Sequence, residues 1–285
     1  VAVTYFLNFR TQGVGGAVVN PYFLEGDGTA NPPALSVVPW ALVPSIVSGK
    51  NLLFATHGFN VSYQDGACSL GSLDKYLNLA APSLFIGMLW PGDSWVPIID
   101  YPFEGDVALD CGGRLAILCN NWCTGAQSLS FLSHSLGARL VLEAITHLDR
   151  KARSVCLTAA AINRDCLTKE YSAAAANSKL ISILASHEDD VLKIAFSVGD
   201  PFADLLHEDH PAFEAALGYD GPPTPAPQTV RYPWQIPDPA DYGHHDYLPP
   251  APATPLPPPP GTKWPDAADF MKRAFFGQPQ TWPPA

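Results

Sequence analysis

Charge is scarce in this sequence. Only 15% of its 285 residues are Asp, Glu, Lys or Arg, against about a quarter in an average globular chain, which argues against a disordered segment or a coiled coil. Basic residues are the scarcer sign: 16 Lys and Arg face 27 Asp and Glu, for a net charge of −11. A chain so poor in cations is repelled by phosphate backbones, so nucleic acid is set aside as a partner. No apolar run approaches the roughly 20 residues of a membrane-spanning helix, because Pro, Gly or polar groups break the longest ones. Cys-x-x-Cys pairs are absent too, which sets zinc aside. The six cysteines are too dilute for a small disulfide-stapled scaffold and read as buried thiols, with at most one or two disulfides. Cys119 and Cys123 share a helix face, but their Cβ directions are poorly set for a bridge. At Val1 no basic stretch leads into an apolar run, which leaves open both a cytoplasmic chain and one secreted after signal removal.

Hydrophobic residues, at 47%, give ample material for a core. Val1–Phe9 is β-branched and aromatic and reads as a first strand. Residues 11–49, rich in Gly, Pro and Asn, read as loops with an edge strand at most. Five short runs then follow, Leu52–Thr56, Leu84–Trp90, Ser128–Leu132, Val155–Ala161 and Leu180–Ala185. Each is apolar on both faces, as strands of a parallel sheet covered on both sides must be. Helical stretches lie between them: Gly112–Trp122, Ala138–Asp149 and the Ala-rich Thr168–Ser178. In the second, Leu140, Val141, Ala144, Ile145 and Leu148 recur at helical spacing. This alternation predicts an α/β domain with a doubly wound, mostly parallel sheet flanked by helices. After Ser197 the character changes to an acidic helical stretch over 200–217, a Pro-rich linker at Gly221–Pro227 and a short strand at Thr229–Tyr232. Between Pro249 and Pro260 eight of twelve residues are proline, too many for helix or sheet. A short terminal helix, Asp266–Phe276, follows, with Phe270, Ala274 and Phe275 on one face. The expected division is a catalytic domain over 1–248 and a Pro-rich tail over 249–285, the tail reading as a spacer before a docking ligand.

The chemistry concentrates where the run at Ser128 enters Ser133-His134-Ser135-Leu136-Gly137 and a helix begins at once. A nucleophile in so tight a strand–turn–helix junction needs small residues two positions either side, and Ser133 and Gly137 supply them. The junction presents Ser135 Oγ above the sheet and sets the following N–H groups at a helix N-terminus, where negative charge is stabilised. A second piece is His57-Gly58-Phe59-Asn60, at the end of the Leu52–Thr56 strand. In acyl-transfer enzymes of this architecture that loop and the residue after the nucleophile each donate one N–H to an oxyanion, which nominates the backbone amides of Phe59 and Leu136. His57 precedes the serine and reads as ordering its loop, because the order in such folds is serine, acid, histidine. The acid should follow a later strand, and Glu188, Asp189 and Asp190 lie just past Ala185. Asp189 is favoured over Asp190, because Val191 and Leu192 begin to repack inward. Of the four histidines that follow, His207 and His210 sit in an acidic stretch and read as surface groups with no third ligand for a metal. His244 and His245 lie on a loop after Thr229–Tyr232, and His244, directly after Gly243, is favoured as the base.

Taken together these segments resemble the α/β-hydrolase superfamily of serine esterases and lipases. They are most similar to a little-characterised bacterial branch with His-Gly-Phe-Asn, Trp-Pro-Gly-Asp, Ser-His-Ser-Leu-Gly, Asp-x-Val-Leu and His-x-Asp-Tyr motifs, here at His57–Asn60, Trp90–Asp93, Ser133–Gly137, Asp189–Leu192 and His244–Tyr247. The resemblance implies Ser135, Asp189 and His244 as nucleophile, acid and base of a two-step acyl transfer that needs no cofactor or metal. The interval 161–180 is too short for a large helical lid. Trp90, Trp95 and Tyr101 are offered as walls of an acyl or aryl pocket, which would suit short or medium acyl esters as small-molecule substrates. The same triad would serve an amidase, thioesterase or acyltransferase, and a catalytically inactive binding module is the rival from another class. The oligomeric state stays open.

Overall fold

The computed structural model describes residues 3–11, 13, 16–93, 97–197, 215–232, 235–253 and 255–283, and of 97–105 and 196–197 the backbone alone. Its strands are β1 (Thr4–Arg10), β2 (Val18–Asp27), β3 (Ala34–Val38), β4 (Asn51–Thr56), β5 (Ser83–Leu89), β6 (Ser128–His134), β7 (Ser154–Thr158) and β8 (Ile181–Leu184). They form one sheet in the order β3-β2-β1-β5-β4-β6-β7-β8. Only the pairs β1–β2 and β2–β3 are antiparallel, so β2 runs against all the others. The apolar runs of β4 to β7 end up central because they can be covered on both faces, and even at the far edge of the sheet every residue of β8 is buried, as in β7. The short edge strand β3 keeps three of its five residues exposed.

The connecting helices are α1 (Val43–Val47), α2 (Tyr63–Leu77), α3 (Pro97–Trp122), α4 (Gly137–Thr146), α5 (Ser172–Ala176), α6 (Asp190–Ser197), α7 (Leu217–Asp220) and α8 (Trp264–Phe276). One face of the sheet is covered by α1, α3, α4 and α5, through side chains such as Leu115, Leu140, Val141 and Ala174. The other is covered by α2 and α8, through Leu70, Leu73, Phe270 and Phe275. Burial of each such side chain stabilises by about 1.5–3 kcal/mol before chain entropy is charged against it. The terminal helix α8 carries Pro in its first turn and stops at Gly277, whose φ of 68° suits a left-handed cap. It lies against β7 and α2.

Several elements differ from the sequence expectation. Residues 11–49 hold the antiparallel pair β2 and β3 where loops with at most one edge strand were expected. The helix expected at Gly112 begins at Pro97, and only Ser172–Ala176 of the expected Thr168–Ser178 is helical. Thr229–Tyr232 is no strand; Val230 makes a single bridge to Ile181. The acidic stretch with His207 and His210 falls almost wholly outside the described residues. All six cysteines are buried and none is in a disulfide. Among the described residues no helix is long and apolar enough to cross a membrane.

Candidate functional site

The sheet topology decides where side chains can meet. From β4 the chain moves to β5 on one side and then returns past β4 to β6 on the other. Crevices at the carboxyl ends of strands flanking such a reversal are where open α/β sheets hold their ligands. Thr56 of β4 pairs with Ser133 of β6, which brings the His57–Asn60 loop alongside the turn at Ser135.

That turn is held in an unusual backbone. Ser135 has φ of 54°, a left-handed conformation that costs a non-glycine residue of order 1–3 kcal/mol unless its surroundings enforce it. They do: the Ser135 N–H donates to the Thr158 carbonyl at 3.0 Å, and its own carbonyl accepts from Ala138 at 3.1 Å and Ala161 at 3.2 Å. The neighbours leave no room for larger residues. A Cβ on Gly137 would stand 2.6 Å from the His57 carbonyl oxygen, and one on Gly58 would stand 2.8 Å from Ser135 Cβ. Helix α4 then starts at Gly137 with Leu136 as its N-cap residue, so the Leu136 amide lies at the positive end of the helix beside Ser135.

Ser135, His244 and Asp189 form one hydrogen-bonded line. His244 Nε2 lies 2.9 Å from Ser135 Oγ, and His244 Nδ1 lies 2.8 Å from Asp189 Oδ2. A carboxylate only accepts, so Nδ1 carries the proton and Nε2 is left as the acceptor for the serine hydroxyl. All three side chains are buried, Asp189 completely. The other oxygen of Asp189, Oδ1, accepts the Leu192 N–H at 3.0 Å, which caps the first turn of α6 and fixes the carboxylate. Asp190, Glu188 and His245 are exposed, so the doublets are separated by burial: of each pair, one member faces inward. The loop that carries His244 is braced by Asp246, whose Oδ2 accepts the Gly243 N–H at 2.8 Å and pairs with Lys263 at 3.3 Å. Tyr247 packs beneath it, edge-on to Tyr242.

His57 is built differently. It is buried, its Nδ1 donates to the Gly58 carbonyl at 2.8 Å and its ring stacks on Trp90. Burial, helped by the Arg10 charge, pushes its pKa down to about 4 although the Gly58 hydrogen bond opposes the shift. It stays neutral and shapes its loop, in the role read for it from chain order. Trp90, offered as a pocket wall, is also completely buried and donates its indole N–H to the His57 carbonyl at 3.0 Å. The pocket role is therefore corrected: Trp90 is scaffold beneath the loop. The side chains of Trp95 and Tyr101 lie outside the described residues.

Two contributors to the site were not assigned from the sequence. Arg10, at the end of β1, is buried against Asp93 of the Trp90–Asp93 segment at 2.6 Å. The same guanidinium donates to the carbonyls of Val61 at 3.0 Å and Trp90 at 3.3 Å. It thus ties the far end of the Phe59 loop to the end of β5, and no local pattern links residues so far apart. His134, inside the Ser133–Gly137 segment, donates Nε2–H to the His244 carbonyl at 2.7 Å. Burial, with His244 and other histidines nearby, drives its pKa well below the ordinary value, so it acts as a neutral donor. Its place in a known motif was visible; its partner was not.

Beside the turn opens a mainly apolar hollow of about 280 Å³, whose walls include Gly58, Val61, His134, His245 and Leu248–Ala251. The start of the Pro-rich stretch is held there by Ser69 Oγ, which donates to the Pro249 carbonyl at 2.7 Å. Among the described residues no group of three or more His, Cys, Asp or Glu is placed to hold a metal ion.

A family model described as "Alpha/beta hydrolase of unknown function (DUF900)" matches residues 45–204. The crystal structure of the ydeN gene product from B. subtilis aligns with 68% of this chain and 87% of its own, at 15% identity and a TM-score of 0.37. No curated protein matches the chain.

Proposed function

The chain belongs to the alpha/beta hydrolases, in a family of unknown function, and from that premise we propose that it is a serine hydrolase that cleaves carboxylic esters. One observation carries the reading: the unbroken line from Ser135 Oγ through His244 to Asp189, with contacts of 2.9 and 2.8 Å. Ser135 Oγ attacks the ester carbonyl carbon while His244 Nε2 takes its proton. Asp189 holds the imidazole in that tautomer and stabilises the imidazolium. The negative oxygen of the tetrahedral intermediate is held by the backbone N–H groups of Phe59 and Leu136. As the intermediate collapses, the alcohol leaves with the proton from His244. Water, deprotonated by the same nitrogen, then releases the acid from Ser135. The chemistry uses only side chains and amides of this chain.

Short or medium acyl groups suit the hollow beside Gly58 and His134, because its volume of about 280 Å³ lies just below the usual range of ligand pockets, about 300 to 1,000 Å³. A p-nitrophenyl ester series should therefore peak at such chains, and rates that climb steadily with long acyl chains would overturn that part.

The test of the reaction is intact-mass analysis after exposure to a fluorophosphonate. Wild type should gain one adduct and Ser135→Ala none. Folded wild type that gains no adduct, or a Ser135→Ala variant that still gains it, would overturn the assignment and favour a hydrolase fold that only binds.

A further inference from the structure

We propose that the amino-terminal edge of the sheet binds a small phosphate-bearing anion, at a site separate from Ser135 and independent of the ester-cleaving reading. A hollow of about 530 Å³ opens there, with Asn51 and Ser128 at the first residues of β4 and β6. Arg150, Lys151 and Arg153, from the connection between α4 and β7, line it together with Lys179, just before β8. No carboxylate is among the lining residues. Four cations thus share one hollow in a chain that has only 16 and a net charge of −11.

Other buried or half-buried cations of the molecule face acids: Arg10 faces Asp93, Lys75 faces Asp27 and Arg164 faces Asp220. These four do not. Lys151 and Lys179 are exposed, and no ion pair forms at any of the four among the described residues. Arg150 is instead steadied by the Ala126 carbonyl at 2.9 Å, and the Arg153 guanidinium lies over the Phe275 ring, 5.6 Å from its centroid. Both guanidinium groups are thereby oriented before a ligand arrives, which lowers the entropy cost of binding. Gathering like charges disfavours the empty state, and an anion relieves that repulsion.

The chemistry of the donors selects the ligand. Planar guanidinium forks match the oxygens of phosphate, and the two lysines add mobile point charges. Asn51, Gln127 and Ser128 add uncharged hydrogen-bonding groups on the same wall. The volume suits a diphosphate, or a phosphate ester with an organic part, better than a single inorganic phosphate. A long polyanion or an anionic membrane would meet the acidic remainder of the surface, whereas a small anion meets only the local field, since charges beyond about 10 Å are screened in salt. A phosphorylated metabolite is therefore favoured over a lipid headgroup of the same chemistry.

Isothermal titration with inorganic pyrophosphate, at low salt and on the full chain, tests this. Wild type should bind, and Lys151→Glu/Lys179→Glu, which alters exposed side chains without partners, should weaken binding by about tenfold or more. Arg153→Gln should weaken it too, whereas Lys272→Glu, outside the hollow, should leave it unchanged. Cosedimentation with phosphatidylcholine vesicles containing phosphatidic acid separates the sources. Absence of pyrophosphate binding, binding that survives the double reversal, equal loss in Lys272→Glu, or binding to the vesicles alone would each overturn the proposal.

Discussion

Two buried polar clusters share the carboxyl edge of the sheet, and they are built to opposite ends. Around His57 the contacts close on themselves: the ring gives its proton to Gly58, the loop carbonyl accepts the Trp90 indole, and Arg10 pairs with Asp93 below. Around His244 the line is directed instead of closed, running from a buried carboxylate to a hydroxyl on a left-handed backbone. Burial alone therefore does not tell the two histidines apart. What separates the two is whether the bare ring nitrogen faces a hydroxyl or a backbone amide, and whether the other nitrogen is held by a carboxylate or by a carbonyl.

The contrast can be broken from either side. Asp189→Asn on the directed line should lower kcat for p-nitrophenyl esters by about 10³- to 10⁴-fold, because the tautomer that leaves Nε2 bare is no longer enforced. Loss below tenfold would mean that Asp189 does not orient the base. On the closed cluster, Asp93→Asn leaves the Arg10 charge buried without its counter-ion and should cost about 3–5 kcal/mol of stability in urea titrations. A loss under about 1 kcal/mol would show that the pair is not what braces the Phe59 loop. The smallest effect is acidification. His57 has a folded pKa of about 4, below the 6.5 of an unfolded histidine, so the unfolded chain binds more protons between these values. Stability from this group is full well above pH 6.5 and is lost as pH falls through 4, by about 3 kcal/mol in all. Asp74, raised by burial to about 6, works in the opposite sense over an overlapping window. The diagnostic is therefore the difference between wild type and His57→Gln: from pH 6.5 to 4 the variant should lose less stability than wild type by the His57 contribution, while the Asp74 contribution cancels in the comparison.

Much of this arrangement is legible in the sequence because its central strands are apolar on both faces and its key turn is compact. The runs at Leu52, Leu84, Ser128, Val155 and Leu180 all lie in or border strands, and Ser135, Asp189 and His244 meet as their order along the chain suggests. Where the reading fails, a local rule is overridden by a distant contact. Helix α2 is hidden because Gly66 and Gly71 interrupt its periodicity. Both are needed for close approach: a Cβ on Gly66 would stand 2.9 Å from the His57 ring, and one on Gly71 would stand 3.3 Å from Gly28 Cα. Strand β2 carries Pro21 and Gly26, which demote a strand by propensity, yet it is bonded on both sides. Trp90 reads as a binding aromatic because nothing near it in sequence announces the His57 carbonyl as its partner. Arg10 and Asp93 meet only once the sheet has formed.

Helix α8 has a further consequence, at the level of synthesis. Trp264, Phe270, Met271 and Phe275 cover one face of the sheet, yet they follow the Pro-rich stretch along the chain. A nascent polypeptide released only as far as Pro249 already holds Ser135, Asp189 and His244, and still presents β7 and α2 to water. Such a species exposes the kind of apolar surface that chaperones and proteases recognise. A premature stop in the Pro-rich stretch would thus remove none of Ser135, Asp189 and His244 and still act as a loss of the whole protein.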